Sequence, residues 1–251
     1  MLTVVIQGPI TKWTTTFATE YAKISCVKNV IISTWKDETI SGFNIIYSDK
    51  PENPGIGNRN NQIVSSYNGL KAVDTNWTVK IRSDMFLPYL GKMYKFARDN
   101  ETEKIKSFVL ALHRTHPFHP KDYAFIGQTD KLLDIFNIPL CIELPKDIQH
   151  NSAYYNTIRT ECYIAKYSYR DIEDERINEI LNNESDYLLD SSANRNIAMD
   201  VYNQCIINRE VFVPLPKTDI YWPKHYPNGY PFDLHKEDEI YYEDISTVVC
   251  K

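Results

Sequence analysis

The sequence predicts an α/β protein built on a largely parallel sheet covered by helices. Two observations carry that expectation. Continuous apolar runs alternate with segments of helical periodicity through the first 87 residues, which is how strands buried on both faces are written. Each apolar run also stops at polar residues, and in open sheets of this kind ligands bind beyond the carboxyl ends of the strands.

Leu2 to Ile6 is the first run and ends at Gln7-Gly8-Pro9, a buried strand entering a tight loop. Thr14 to Val27 carries Phe17, Tyr21 and Ile24 at helical spacing. Val30 to Ile32 is a second strand, ending at Ser33-Thr34-Trp35, and Phe43 to Tyr47 a third, ending at Ser48-Asp49. After a Pro/Gly-rich loop from Pro51 to Gly57, the polar segment Asn58-Arg59-Asn60-Asn61-Gln62 opens a helix with Ile63, Val64, Tyr67 and Leu70 as its apolar positions. Thr78 to Leu87 is the fourth strand, and it sets Lys80, Arg82 and Asp84 into an apolar run. Burying charge is costly unless the charge is paired, hydrogen-bonded or bound to a metal. The stretch is therefore either a solvated Arg–Asp pair at a strand end or the edge of a polar site. Four polar strand ends converging on one edge of the sheet favour the site.

Beyond Leu87 the pattern is less regular. Lys92 to Asp99 reads as a helix, Ser107 to Leu112 and Tyr123 to Ile126 as strands, and Thr129 or Asp130 as the cap of a helix bearing Leu132, Leu133 and Phe136. His113, His116 and His119 are spaced by three, but Pro117 and Pro120 interrupt any helix, so the imidazoles do not share a face and a polar loop is expected. Thr160-Glu161 starts an apolar helical run, where a carboxylate also complements the helix dipole. Arg170 to Asp190 is a charged helix and loop, Ser192 to Asn208 a helix on Ile197, Val201 and Cys205, and Val211 to Leu215 a short strand. The aromatic, Pro-rich tail from Lys217 is expected to fold over the body as a lid or strap. The whole of 1–251 is expected to be one domain, with halves at 1–90 and 91–215 and a tail at 216–251.

A net charge of −5 gives no basic footprint for nucleic acid. The five cysteines are scattered and form neither a metal motif nor a disulfide framework. No apolar run approaches the roughly 20 residues of a membrane span, and the N-terminus enters strand-like sequence directly. A cytoplasmic location is expected, with peripheral contact to a lipid-linked partner left open. With 8 glycines in the chain and no Gly-x-Gly-x-x-Gly after the first strand, the dinucleotide and P-loop fingerprints are absent. Any ligand phosphate must then be neutralised by Arg and Lys or by a metal on the fourth strand.

Several elements together resemble the WavE family of lipopolysaccharide-synthesis proteins. They are Val4-Val-Ile-Gln-Gly-Pro-Ile10, Ile31-Ile-Ser-Thr-Trp35, Asn58 to Gln62 with Ser65, Ser66, Gly69 and Leu70, Lys80-Ile-Arg-Ser-Asp84, and Asp122 to Gly127. The resemblance implies a GT-A fold, a Rossmann-like glycosyltransferase domain whose first half binds a nucleotide-sugar. The expected donor is UDP-linked, and the expected acceptor is a saccharide of a lipopolysaccharide- or capsule-like surface glycan.

GT-A enzymes commonly bind a divalent cation, manganese or magnesium, through an Asp-x-Asp motif after the fourth strand. Here Ser83-Asp84 supplies one Asp where that motif has two, so Asp84 is the expected metal residue, with His225 or His235 from the tail as a third ligand and Arg82 as the alternative carrier of positive charge. Gln7, Gly8 and Pro9 are expected against the base and ribose, with Trp35 as a stacking face or a core residue. Arg59, Asn61, Gln62, Arg82 and Ser83 are expected near the donor sugar and phosphates. Glu161 and Asp122 are the candidate bases for the acceptor hydroxyl. A sugar nucleotidyltransferase is the rival enzyme, disfavoured because Gln7-Gly8-Pro9-Ile10 is too short for its Gly-rich basic loop. A GT-A-like domain that binds a glycan or nucleotide without turnover is the non-enzymatic rival.

Overall fold

The computed structural model describes residues 1–113, 117–141, 160–176, 192–218, 220–221 and 239–245. The first six elements follow in the expected order: β1 (Leu2–Gln7), α1 (Thr14–Ala22), β2 (Val27–Trp35), β3 (Asn44–Ser48), α2 (Arg59–Lys71) and β4 (Trp77–Arg82). They are followed by α3 (Leu90–Asp99), β5 (Ile105–Val109), β6 (Leu112–His113), β7 (Ala124–Gln128) and α4 (Thr129–Phe136). The last are α5 (Thr160–Ser168), α6 (Ser192–Ile207), β8 (Val211–Pro214) and β9 (Glu239–Ile240).

Seven strands form one sheet in the order β3-β2-β1-β4-β7-β5-β8. β3, β2, β1 and β4 run parallel, β7 is antiparallel to both its neighbours, and β8 is parallel to β5. The sheet is thus mostly parallel and Rossmann-like. Period-two alternation sorts its side chains into two layers. Leu2, Val4 and Ile6 of β1 pack with Val79 and Ile81 of β4 against Phe17 and Tyr21 of α1 and Leu90, Met93 and Tyr94 of α3. Val5 faces the other way, into a second cluster with Ile63 and Leu70 of α2, Leu132, Ile135 and Phe136 of α4, Ile164 of α5 and Val201 and Tyr202 of α6.

Several boundaries differ from expectation; the fourth strand, for one, runs Trp77–Arg82 and stops short of the expected Leu87, where Phe86 instead bridges to Tyr221. Val27 belongs to β2 rather than to α1, because Leu2 pairs with Val27 at the start of the parallel ladder. The expected strand from Ser107 to Leu112 is two pieces, β5 in the main sheet and β6, which pairs with β9. Thr129 is not a cap: α4 starts on it, Gln128 precedes it without a side-chain cap, and the Thr129 hydroxyl donates 2.6 Å to the Thr75 carbonyl. In the tail, Tyr221 exchanges backbone hydrogen bonds of 2.8 and 2.9 Å with Phe86, and Ile240 pairs with Leu112. The remainder of the tail, with Trp222, His225 and His235, lies outside the described residues, as do His116 and most of the charged segment from Arg170 to Asp190. Among the described residues no helix is long and apolar enough to cross a membrane.

Candidate functional site

The chain leaves β1 toward β2 and β3, then returns through α2 to place β4 on the opposite side of β1. That reversal is a topological switch point, where an open α/β sheet leaves a crevice at its carboxyl edge. The register sets Gln7 beside Ser33 on one flank and Arg82 on the other. Over this edge lies a cleft of about 870 Å³, lined from β1 and its loop by Gln7, Gly8, Pro9, Thr11, Lys12 and Trp13, and from β2 by Trp35. Lys50, Gly57, Asn58, Asn61 and Gln62 line it from β3 to α2, and Arg82, Ser83 and Asp84 close it from β4. The volume is within the range of small-molecule sites.

Short hydrogen bonds fix the floor. Gly8 has φ of 121°, in a region that disfavours a side chain, and a Cβ there would stand 3.1 Å from Ser83 Oγ. That hydroxyl donates 2.6 Å to the Pro9 carbonyl, while Ser83 N–H donates 2.9 Å to the Gln7 carbonyl. Gln7 Nε2 donates 2.8 Å to Ser65 Oγ on α2, and Gln7 Oε1 is buried with no partner among the described residues. Gly57 and Asn58 adopt left-handed backbone (φ 61° and 63°), and α2 begins directly after them without a side-chain cap, its N-terminus turned to the cleft.

At the end of β4, Arg82 grips Asp84 through two hydrogen bonds, Nε to Oδ1 at 3.1 Å and Nη2 to Oδ2 at 3.0 Å. Arg82 also lies over the Tyr123 ring, 5.8 Å from its centroid. Both carboxylate oxygens of Asp84 are therefore already committed to a guanidinium. No group of three or more His, Cys, Asp or Glu that could hold a metal occurs among the described residues, and His225 lies outside them. The described residues do not fit a divalent cation at Asp84.

Next to the cleft is a cluster of buried charge. Lys80, on the same face of β4 as Arg82, is fully buried, donates 3.1 Å to the Asp122 carbonyl, and sits over the rings of Phe125 and Phe136 at 5.3 and 5.4 Å. Burial pulls its ammonium down to about 8, against the opposing pull of the Asp122 charge. Burial also pushes the Asp122 carboxyl up, and the neighbouring Glu161 charge adds to that rise while Lys80 and Arg82 oppose it. Glu161, in the first turn of α5, approaches His119 Nε2 at 3.6 Å. His119 has no exposed surface and stacks on His113, with ring centroids 5.2 Å apart.

A family profile described as WavE lipopolysaccharide synthesis matches residues 2–194. The chain belongs to that family. No curated protein sequence matches it. Among solved structures it is similar to HddC from Yersinia pseudotuberculosis, at 12% identity over 53% of this chain and 79% of that one, with a TM-score of 0.35. It is also similar to the cytidylyltransferase IspD of Francisella tularensis, at 10% identity over 66% of this chain and 84% of that one, with a TM-score of 0.37. The 4-diphosphocytidyl-2C-methyl-D-erythritol synthase of Anaerococcus prevotii aligns at 11% identity over 80% of this chain and 97% of that one, TM-score 0.35. Likeness at this level carries no argument about chemistry.

The structure gathers most of the WavE-like residues in one place. Gln7, Gly8, Pro9, Trp35, Asn61, Gln62, Arg82, Ser83 and Asp84 all line the cleft, Trp35 with only 3% of its surface exposed. Asp122 and Glu161, far apart in sequence, interact electrostatically beside it. Arg59 is not brought to the cleft wall. It is buried, lies over the Tyr163 ring at 4.4 Å and donates 3.4 Å to Cys141 Sγ. The spacing explains this: Arg59 precedes Ile63 by one helical step of four and so shares its buried face, whereas Asn58, Asn61 and Gln62 share the face turned to the cleft. Lys12, Trp13 and Lys50 were not singled out from the sequence, and Gly57 and Asn58 were named only as parts of the loop and segment that lead into α2. All five lie between a strand end and the helix that follows, which is the one signal that marks them.

Proposed function

We propose that the protein is a glycosyltransferase that moves a sugar from a nucleotide-sugar donor, UDP-linked in the first instance, to a saccharide acceptor during surface-glycan synthesis. The observation that carries this reading is the meeting, at one switch-point crevice, of Gln7-Gly8-Pro9 and Arg82-Ser83-Asp84 with the interacting carboxyls of buried Asp122 and half-buried Glu161 beside it. Membership of a lipopolysaccharide-synthesis family supports it. In this reading Gln7 meets the base or ribose through its unmatched Oε1, and Trp35 offers the edge of a mostly buried ring. The uncapped N-terminus of α2 and the side chains of Asn61 and Gln62 face the sugar and phosphates.

In transfer the acceptor oxygen bonds to the anomeric carbon as the bond from that carbon to the diphosphate oxygen breaks. The electron pair leaves on the diphosphate, and the acceptor proton goes to Glu161. Asp122 is the more buried of the two carboxyls and the one whose ionisation burial opposes, so the proton is assigned to Glu161, the more accessible of the pair. Incubation of the purified protein with labelled UDP- and GDP-sugars and a truncated lipopolysaccharide acceptor tests this. Label on the acceptor, lost in Glu161→Gln, is the expected result. Nucleotide binding without any transfer would assign a binding role instead.

A further inference from the structure

We infer that the crevice holds the diphosphate of its nucleotide without a divalent cation, the charge being met by Arg82 and Lys12. The inference rests on the reading of the crevice as a nucleotide-sugar site. A hard cation shared with a diphosphate is held by the protein chiefly through one or two carboxylate oxygens at roughly 2.0–2.6 Å, the rest of its shell being phosphate and water. Asp84 is the carboxylate in the cleft wall, and its two oxygens accept Nε and Nη2 of Arg82 at 3.1 and 3.0 Å. The position two residues earlier, which would complete an Asp-x-Asp pair, is Arg82 itself: the chain has a cation where a metal ligand would stand.

The remaining charge in the wall points the same way. Among the described residues, Lys12, Lys50 and Arg82 face the cleft against the single carboxylate of Asp84. Lys50 is engaged by Asp37 at 2.6 Å. Lys12 lies over the Trp13 ring, 5.0 Å from its centroid, and makes no ion pair with any described residue. It lies three residues beyond Pro9 in the loop after β1, so it and Arg82 flank the crevice from that loop and the end of β4. Asp84 then acts as a positioning residue, since its two hydrogen bonds hold the guanidinium plane in one orientation, and it does not ligate a metal.

Isothermal titration of the full chain with UDP and with GDP, each in EDTA and in manganese chloride, tests the inference. The expected result is binding of at least one nucleotide with affinities in the two buffers within about threefold of each other. Lys12→Ala, an exposed position whose folding is checked by circular dichroism, is expected to weaken that binding about tenfold in EDTA, the size of one charge-assisted contact. Binding that appears only with manganese, or that manganese strengthens tenfold or more and Asp84→Asn abolishes, overturns the inference and leaves the nucleotide site standing. Unchanged affinity in Lys12→Ala overturns the part given to Lys12. Absence of binding in every buffer overturns the inference together with the nucleotide-sugar reading beneath it.

Discussion

Gly69 of α2 lies so close to Val5 of β1 that an added Cβ would stand 2.6 Å from Val5 Cγ1, and 2.8 Å from Ser33 Cβ. Both are sheet atoms that cannot swing away as the tip of a flexible side chain can. The contact lets α2 settle onto the sheet so that Ser65 receives Gln7 and the first turn reaches the crevice. Gly69→Ala is expected to lose about 1–3 kcal/mol of stability through overpacking. Urea denaturation measures it, and nucleotide affinity should fall in the same variant.

Arg59→Met should act on stability alone. The guanidinium is 1% exposed and serves Tyr163 and Cys141, not the cleft. A loss of about 2 kcal/mol is expected from the lost cation–π and polar contacts. Titration with nucleotide should give the wild-type affinity; a tenfold loss would return Arg59 to the binding wall.

Lys80 gives stability a pH signature. Its folded pKa of about 8 lies below the usual lysine value of 10.5, so the folded state opposes the charged form. Below pH 8 both states carry the charge and the penalty is fully present. Between pH 8 and 10.5 the unfolded chain binds more protons, so stability rises with pH over that window. Relative to Lys80→Met, the wild type should gain up to about 3 kcal/mol between pH 7.5 and 10.5 in paired urea titrations. A constant difference between the two proteins would mean that Lys80 is not held as tightly in the interior.

Glu161→Gln should lower turnover about 10²–10⁴-fold with nucleotide affinity kept, as loss of a general base does. Asp122 is pushed above the ordinary carboxylate range by burial and by the Glu161 charge. In Glu161→Gln that charge is gone, so the Asp122 carboxyl should titrate at a lower pH than in the wild type, which carboxyl NMR titration checks.

Ser83→Ala removes the hydroxyl that donates 2.6 Å to the Pro9 carbonyl across the Gly8 turn. The freed carbonyl sits at the cleft, where water reaches it. A cost of about 1 kcal/mol in thermal unfolding is expected, with a larger proportional effect on nucleotide binding because the turn itself forms the floor.

The first half of the fold was readable because each of β1 to β4 is a run of apolar residues stopped by polar ones, and because helical spacing separates them. The same contrast marked Gln7, Trp35, Arg82 and Asp84 as residues at strand ends. Direction within a helix was harder to read: Arg59 looked like its neighbours Asn61 and Gln62, and only counting four residues on to Ile63 reveals the buried face. Lys80 was grouped with Arg82 and Asp84 as an opening onto a polar site, yet Phe125 and Phe136 enclose it, contacts that arise from β7 and α4 far along the chain. Lys12 and Lys50 carried no local signal at all, since a lysine in a loop reads the same whether it faces a cleft or bulk water.

The pairing of β5 with β8 has a consequence for how the chain is made. Residues 105–109 form their parallel ladder with residues 211–214, so about a hundred residues separate the two partners. On a ribosome the parallel half, complete by Arg82, can assemble early, while β7 joins it antiparallel soon after. The outer edge of β5 stays uncovered until Val211 to Pro214 emerge, and an open strand edge is a template for pairing with other chains. Chains halted before that point should be the ones that aggregate, and β8 serves as much to guard the nascent protein as to complete its sheet.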